Sequence, residues 1–271
     1  MTHPLKHHHI SEPALSTETD SRRNDSIGGR SDTTGSGNDS GDRLIEPSGR
    51  WNDTGDPMID ALSASTPQRR LQAAMAIGTR AEPRDLDALI ARCRIEPDFF
   101  VRDMLTWALT RLPAGDTVPR LVAELDSPLS QAISQSLHTL SKIGDVRAWP
   151  PMDPARIGTA LIAHTDTEVA RSAWRAAVAL VPGEDREELA SALVTQLGRG
   201  DLEMQKSLSR ALVALGEDLV SVVDERLHAE DDTVRAHAMA TRDMFDDPDA
   251  GFAHALDAAK RVVALGSEAT V

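Results

Sequence analysis

One recurring pattern limits what this chain can fold into. Five stretches are versions of one another: DFFVRDMLTWALTRL from Asp98, SPLSQAISQSLHTLSKI from Ser127, DTEVARSAWRAAVAL from Asp166, DLEMQKSLSRALVAL from Asp201 and DDTVRAHAMATRDMF from Asp231. A shorter sixth, TPQRRLQAAMAI, begins at Thr66. Their starts are separated by about 29 to 39 residues, the period of helical repeat arrays. Each opens with Asp, Ser or Thr, which can accept backbone N–H groups as an N-cap and suits the positive end of the helix dipole. Val101, Ser130, Val169, Met204 and Val234 follow three residues on, then alanines and leucines at helical spacing. Most of the stretches close on Gly or Pro, at Gly78, Pro113, Gly144, Pro182, Gly216 and Pro248.

Partner helices are predicted between them at 57–64, 84–96, 116–126, 154–164, 184–198 and 217–229. Their apolar stripes include Leu86, Leu89 and Ile90, or Leu189, Leu193, Val194 and Leu197. Ala250 to Leu265 places Phe252, Leu256, Ala259 and Val263 on one face, as a helix that caps the array would. Aromatic residues are only 3% of the chain and tyrosine is absent, so alanine and leucine must do the packing. That favours closely approaching helices over a sheet. Leu105, Leu109, Ala173, Ala176 and Leu212 are expected to be buried between helices. Residues 1–55, rich in Ser, Gly, Asp and Thr, lack the apolar content to offset ordering entropy and read as a disordered tail. Residues 56–266 read as the repeat domain and 267–271 as a disordered C-terminus. Trp51, at the boundary, is expected to dock onto the first helix.

The pattern Asp-x-x-Val-Arg-x-x-Ala-x-x-Ala-Leu-x-x-Leu-Gly resembles the second helix of HEAT and PBS-lyase HEAT-like repeats. Asp98, Val101, Arg102, Leu109 and Leu112 carry it, as do Asp166, Val169, Ala173, Ala176 and Leu180. Asp231, Val234 and Arg235 restart it, and Arg242 and Asp243 interrupt its apolar end. The resemblance runs from near residue 57 to 265. It implies an all-α fold: a right-handed alpha-solenoid of about six helix pairs with a C-terminal capping helix, whose second helices line the concave side. It says little about function, because such repeats host scaffolds, adaptors and a few enzymes.

A formal charge of −14 opposes non-specific attraction to nucleic acid or anionic membrane. A single cysteine, Cys93, rules out an internal disulfide framework and fits a reducing compartment, so a cytoplasmic location is expected. No apolar run spans a bilayer, and Pro4, Lys6 and three histidines break the N-terminus where a secretory signal would need its apolar core. His7, His8 and His9 lack preorganised geometry for a metal. A HEAT-like di-iron hydroxylase would require His-Glu pairs, and the sequence has none. His138, His164, His228, His237 and His254 are scattered, and His164 with Asp166 or His237 with Asp243 read as capping or solvated side chains. Cys93 reads as a buried filler rather than a nucleophile. The resemblance leaves two enzymatic alternatives: a bilin-lyase-like protein, or a DNA-glycosylase-like one suggested by Trp107, Trp174 and Arg175. The expected function is a non-catalytic scaffold or adaptor that binds a protein partner. No catalytic or metal residue and no cofactor is assigned.

Sorting charges by helix narrows where that partner would sit. The second helices carry Arg69, Arg70, Arg102, Arg111, Lys142, Arg171, Arg175, Lys206, Arg210, Arg235 and Arg242 in their bodies and keep their acids mostly in the first turn. Two arrangements satisfy this bias: a basic groove suited to an acidic peptide, or ion pairs between neighbouring repeats with no net potential. The candidate partner-binding residues are Arg102, Trp107, Trp149, Arg171, Trp174, Arg175, Lys206, Arg210 and Arg235. Trp149 lies in the insert GDVRAWPPMDP, where Pro150 and Pro151 forbid a continuous helix, and either seals a ridge between repeats or anchors a partner.

Overall fold

The computed structural model describes residues 55–150, 159–247 and 251–268. The expected tail, Trp51, His7 to His9, Pro248 and residues 269–271 lie outside the described residues. Thirteen α-helices and no strand occur among those that are described. Six pairs can be followed along the chain. The first helices are α1 (Pro57–Ala61), α3 (Leu86–Cys93), α5 (Ala114–Ala123), α7 (Thr159–Ile162), α9 (Arg186–Val194) and α11 (Val220–Asp224), most of them flanked by a 3-10 turn. The second helices are α2 (Pro67–Arg80), α4 (Phe99–Thr110), α6 (Ser130–Ile143), α8 (Thr167–Leu180), α10 (Leu202–Leu215) and α12 (Asp232–Asp246). Each second helix packs on the next in series, and α12 packs on a final helix, α13 (Phe252–Glu268). The result is an α-solenoid closed by a capping helix.

The repeated motif has a local physical basis. Asp98 accepts the Val101 N–H at 3.0 Å, Asp201 accepts that of Met204 at 2.9 Å, and Asp166 and Asp231 each take two amide protons. An N-cap of this kind satisfies donors that the first helical turn cannot pair. The residue three places on is buried in three of these turns, as Val101, Val169 and Met204, and half-buried in the fourth, as Val234, and pulls the helix onto its partner. Where an arginine follows, it ties back the turn it has just left. Arg70 donates to the carbonyls of Ala64 and Ser65, Arg102 to those of Glu96 and Pro97, and Arg235 to those of Ala229 and Glu230. In each case the acceptors lie five and six residues back, so one side chain locks the turn between paired helices.

Leucine and alanine fill the core. Leu105, Leu109, Ala173, Ala176 and Leu212 are all buried, as are the stripes of α3 and α9. Phe252, Leu256, Ala259 and Val263 of α13 cover Ala236, Ala240 and Met244 of α12, sealing the end of the array.

Three local expectations are corrected. Thr66 precedes α2 without a side-chain cap bond, and α6 begins at Ser130 after Leu129, so Ser127 only receives the Leu129 N–H. Gly78 does not end α2 but lies inside it. A Cβ there would stand 2.5 Å from the Trp107 ring and 2.8 Å from the Ala108 Cα, so glycine is required for α4 to approach. The helix ends instead at Ala81, whose φ of 53° is the left-handed cap that Gly144 supplies with ease after α6.

Candidate interaction face

Two recesses open on the row of second helices. The first, about 520 Å³, spans α4, α6 and α8 and is walled by Phe99, Arg102, Asp103, Ser134, His138 and Arg175 among others. The second, about 340 Å³, lies between α8 and α10, with Arg171, Arg175, Lys206, Arg210 and Glu203 around Val178 and Ala214. Arg175 lines both, so the recesses adjoin at its side chain and together make up the groove.

Charge changes sign along this groove. In the first recess Arg102 and Arg175 face Asp103, Asp166 and Glu168. Asp166 is occupied as the α8 cap, and Arg102 is held by the two loop carbonyls. Burial, with Arg175 and Lys142 nearby, holds His138 below the usual histidine range and therefore neutral at neutral pH. In the second recess four cations meet one carboxylate. Arg171 reaches Glu168 at 3.1 Å, and its Nε is buried without a hydrogen-bond partner. Arg175 donates, among the described residues, only to the Arg171 carbonyl and the Ser172 hydroxyl. Among the described residues no ion pair forms at Arg175, Lys206 or Arg210, while Arg70 pairs with Glu96, and Arg242 with Asp224 and Asp246. The recess walls strip part of the hydration of Arg175, and this desolvation, then Arg171, lowers its pKa. A guanidinium stays charged regardless, so an incoming anion would relieve that unfavourable environment.

The ion-pair ladders between repeats run along the first helices and their loops instead. Arg94 meets Glu124 at 2.5 Å, Arg120 meets Asp87 at 2.7 Å, and Arg186 meets Asp218 at 2.9 Å. The charge bias in the second helices is thus resolved residue by residue: Arg70, Arg102, Arg235 and Arg242 are held within the fold, and Arg175, Lys206 and Arg210 stand at the groove.

The candidate residues divide accordingly. Arg171, Arg175, Lys206 and Arg210 come together at the groove. Arg102 lines it but serves the turn, and Arg235 serves its own turn and pairs with Asp232. Trp174 is corrected to a core residue: it is fully buried, and its indole N–H donates to the Ile162 carbonyl at 3.0 Å. Trp149 is also buried and bonds the Asp185 carboxylate at 2.7 Å, which seals the junction with the next repeat. Trp107 leans over Gly78, partly exposed. His164 accepts the Asp166 N–H, and His237 accepts the Gly198 N–H and bonds the Gln205 carbonyl, so both act as local fasteners. Burial pushes the Cys93 thiol up to about 12, which leaves it protonated and inert. Sequence reasoning passed over Phe99 and Phe100, whose rings meet edge to face at 5.6 Å while 65% and 71% exposed. The adjacent pair of aromatics in the first turn of α4 was the available signal.

The fold and this face define an all-helical repeat protein with a polar groove that becomes basic toward α10. No protein-family model matches the chain, and no curated protein does. Among solved structures it is similar to an engineered protein, at 20% identity and a TM-score of 0.41, covering 70% of this chain and 95% of that one. It is also similar to the complex of CpcE and CpcF of phycocyanin lyase from Nostoc sp. PCC7120, at 19% identity and a TM-score of 0.41, covering 74% of this chain and 80% of that one. No helix among the described residues is long and apolar enough to cross a membrane.

Proposed function

We propose that the chain is a non-catalytic interaction scaffold that holds an acidic segment of a protein partner in the groove of its second helices. The observation that carries this reading is the cluster of Arg175, Lys206 and Arg210, open to the groove with no carboxylate among the described residues pairing them, in a chain of net charge −14. Natural surfaces intersperse charges of both signs, so such a cluster inside an acidic shell steers and orients an anionic partner. Two carboxylates of the first recess are already engaged in the fold, Asp166 as a helix cap and Glu168 in its pair with Arg171, which favours a binding role for them.

The test is quantitative capture of partners from native extract by wild-type protein and by the charge-reversal variant Arg175→Glu/Arg210→Glu, read by mass spectrometry. Both arginines are exposed, so helicity and melting temperature should hold. A defined set of proteins should be lost from the variant, and wild-type capture should weaken as salt rises, because exposed charges are screened over about 8 Å at physiological ionic strength. Identical capture by the two proteins would defeat the reading.

A further inference from the structure

The groove has a second chemical feature at its other end. Phe99 lines the first recess, and Phe100 stands beside it, both largely exposed. Two adjacent exposed phenylalanines are a costly use of surface in a chain with only four. Between them and the basic cluster lie Ser130, Ser134 and His138, and the same recess carries Asp103, Asp166 and Glu168 beside Arg102, which is held by its own turn. An acidic side chain is therefore better placed among Arg175, Lys206 and Arg210 than in the first recess, where Asp103, Asp166 and Glu168 outnumber the cations.

We propose that the groove binds an extended peptide whose acidic residues sit against Arg175, Lys206 and Arg210 and whose bulky apolar residue sits against Phe99 and Phe100. This rests on the scaffold reading and specifies its ligand. Neighbouring helices lie about 8–10 Å apart, so the path from α4 across α6 and α8 to α10 is about 27 Å. An extended chain advances about 3.3 Å per residue, so apolar and acidic elements are separated by about six to eight residues. Serine hydroxyls and the neutral imidazole of His138 can bond the backbone between them, which asks nothing of the intervening side chains. The basic cluster at one end of the groove and the aromatic pair at the other together set the register.

The experiment uses fluorescein-labelled synthetic decapeptides and the full-length chain, read by fluorescence anisotropy. The parent probe is Phe-Leu-Ser-Gly-Ser-Gly-Ser-Glu-Glu-Glu, made also in reverse order. Controls replace Phe-Leu by Ser-Ser, replace the glutamates by glutamine, or delete four spacer residues. One of the two parent probes should bind about tenfold more tightly than every control, since a buried aromatic anchor is the usual source of such a gap. Phe99→Ser/Phe100→Ser should abolish the gap between the parent and Ser-Ser probes while keeping the dependence on glutamate. R175E/R210E should weaken both, with circular dichroism confirming the fold of each variant. If the phenylalanine variant binds all probes as wild type does, or the shortened probe binds as well as the parent, the proposal is overturned while the scaffold reading stands. If wild-type protein binds no probe yet R175E/R210E still loses its native partners, the same conclusion follows. Loss of neither would remove both. Tighter binding by a peptide of residues 38–47 than by either parent would assign the groove to the chain's own N-terminal segment. Self-association that the parent probe reverses would assign it to a second copy. Either result would overturn the proposal.

Discussion

Glu96 offers the sharpest test of how the first repeats are joined. Its carboxylate is fully buried and accepts four hydrogen bonds: two from the Arg70 guanidinium at 2.8 Å each, one from Arg92 at 2.7 Å and one from the Asp98 N–H at 2.9 Å. Burial alone would raise its pKa, but Arg70, that N–H and Arg92 outweigh the burial and hold it below the ordinary value. Glu96→Gln keeps the shape, removes the charge and points an amide donor at guanidinium donors. Arg70, only 6% exposed, is then a buried cation without a counter-ion. Breaking a buried pair in this way costs about 3–5 kcal/mol. For a domain of this size about 1 kcal/mol moves the melting temperature by 2–4 °C, so a fall of about 6–20 °C is expected by circular dichroism. Arg70→Met removes the stranded charge, and Arg92 is close enough to the surface to find water. The double variant Arg70→Met/Glu96→Gln should therefore be less destabilised than the sum of the single ones, with a coupling of about 1.5 kcal/mol or more. A Glu96→Gln protein within about 1 kcal/mol of wild type, or strict additivity in the cycle, would refute the idea that Glu96 neutralises Arg70 inside the fold.

Three other outcomes are expected. Burial lowers the pKa of His237 from 6.5 to about 4, with its bond to the Gln205 carbonyl opposing the shift. The unfolded chain then binds a proton that the native state refuses, so this contribution is complete above about pH 6.5, is lost as pH falls toward 4, and amounts to about 3 kcal/mol in all at 1.36 kcal/mol per unit. Urea denaturation from pH 7 to 5 should show wild type losing about 2 kcal/mol more than His237→Gln does, and parallel curves would contradict the assignment. Gly78→Ala should lower stability by about 1–2 kcal/mol in thermal melts, since the clash with Trp107 and the Ala108 backbone outweighs the better helix propensity of alanine. Ala176→Leu should overpack the fully buried contact on α8 and cost about 1–3 kcal/mol, and an unchanged melting temperature would mean that this face yields more than the packing suggests.

Much of the architecture was legible in the sequence because its causes are local and periodic. Asp98, Asp166, Asp201 and Asp231 mark helix starts since the cap and the donors it satisfies lie within three residues of each other. Leu105, Ala173 and Leu212 could be assigned to the core from 3.6-residue spacing alone, because a helix that repeats its apolar face has no other place to put it. Phe252 to Val263 announced a capping helix for the same reason. What the sequence could not decide depends on partners distant along the chain. Gly78 looked like a helix end, and only the approach of Trp107 from the next pair explains why it lies inside one. Trp174 and Trp149 carried the same composition signal as exposed anchors, yet Ile162 and Asp185 take their N–H groups into the fold. The arginines of the second helices were equivalent as a pattern. Tertiary packing separated Arg70, matched to Glu96, and Arg102, tied to its own turn, from Arg175, Lys206 and Arg210, which face the groove. Helix periodicity fixes which face a side chain leaves from, but whether it meets a carboxylate there is set by the neighbouring repeat, about thirty residues away.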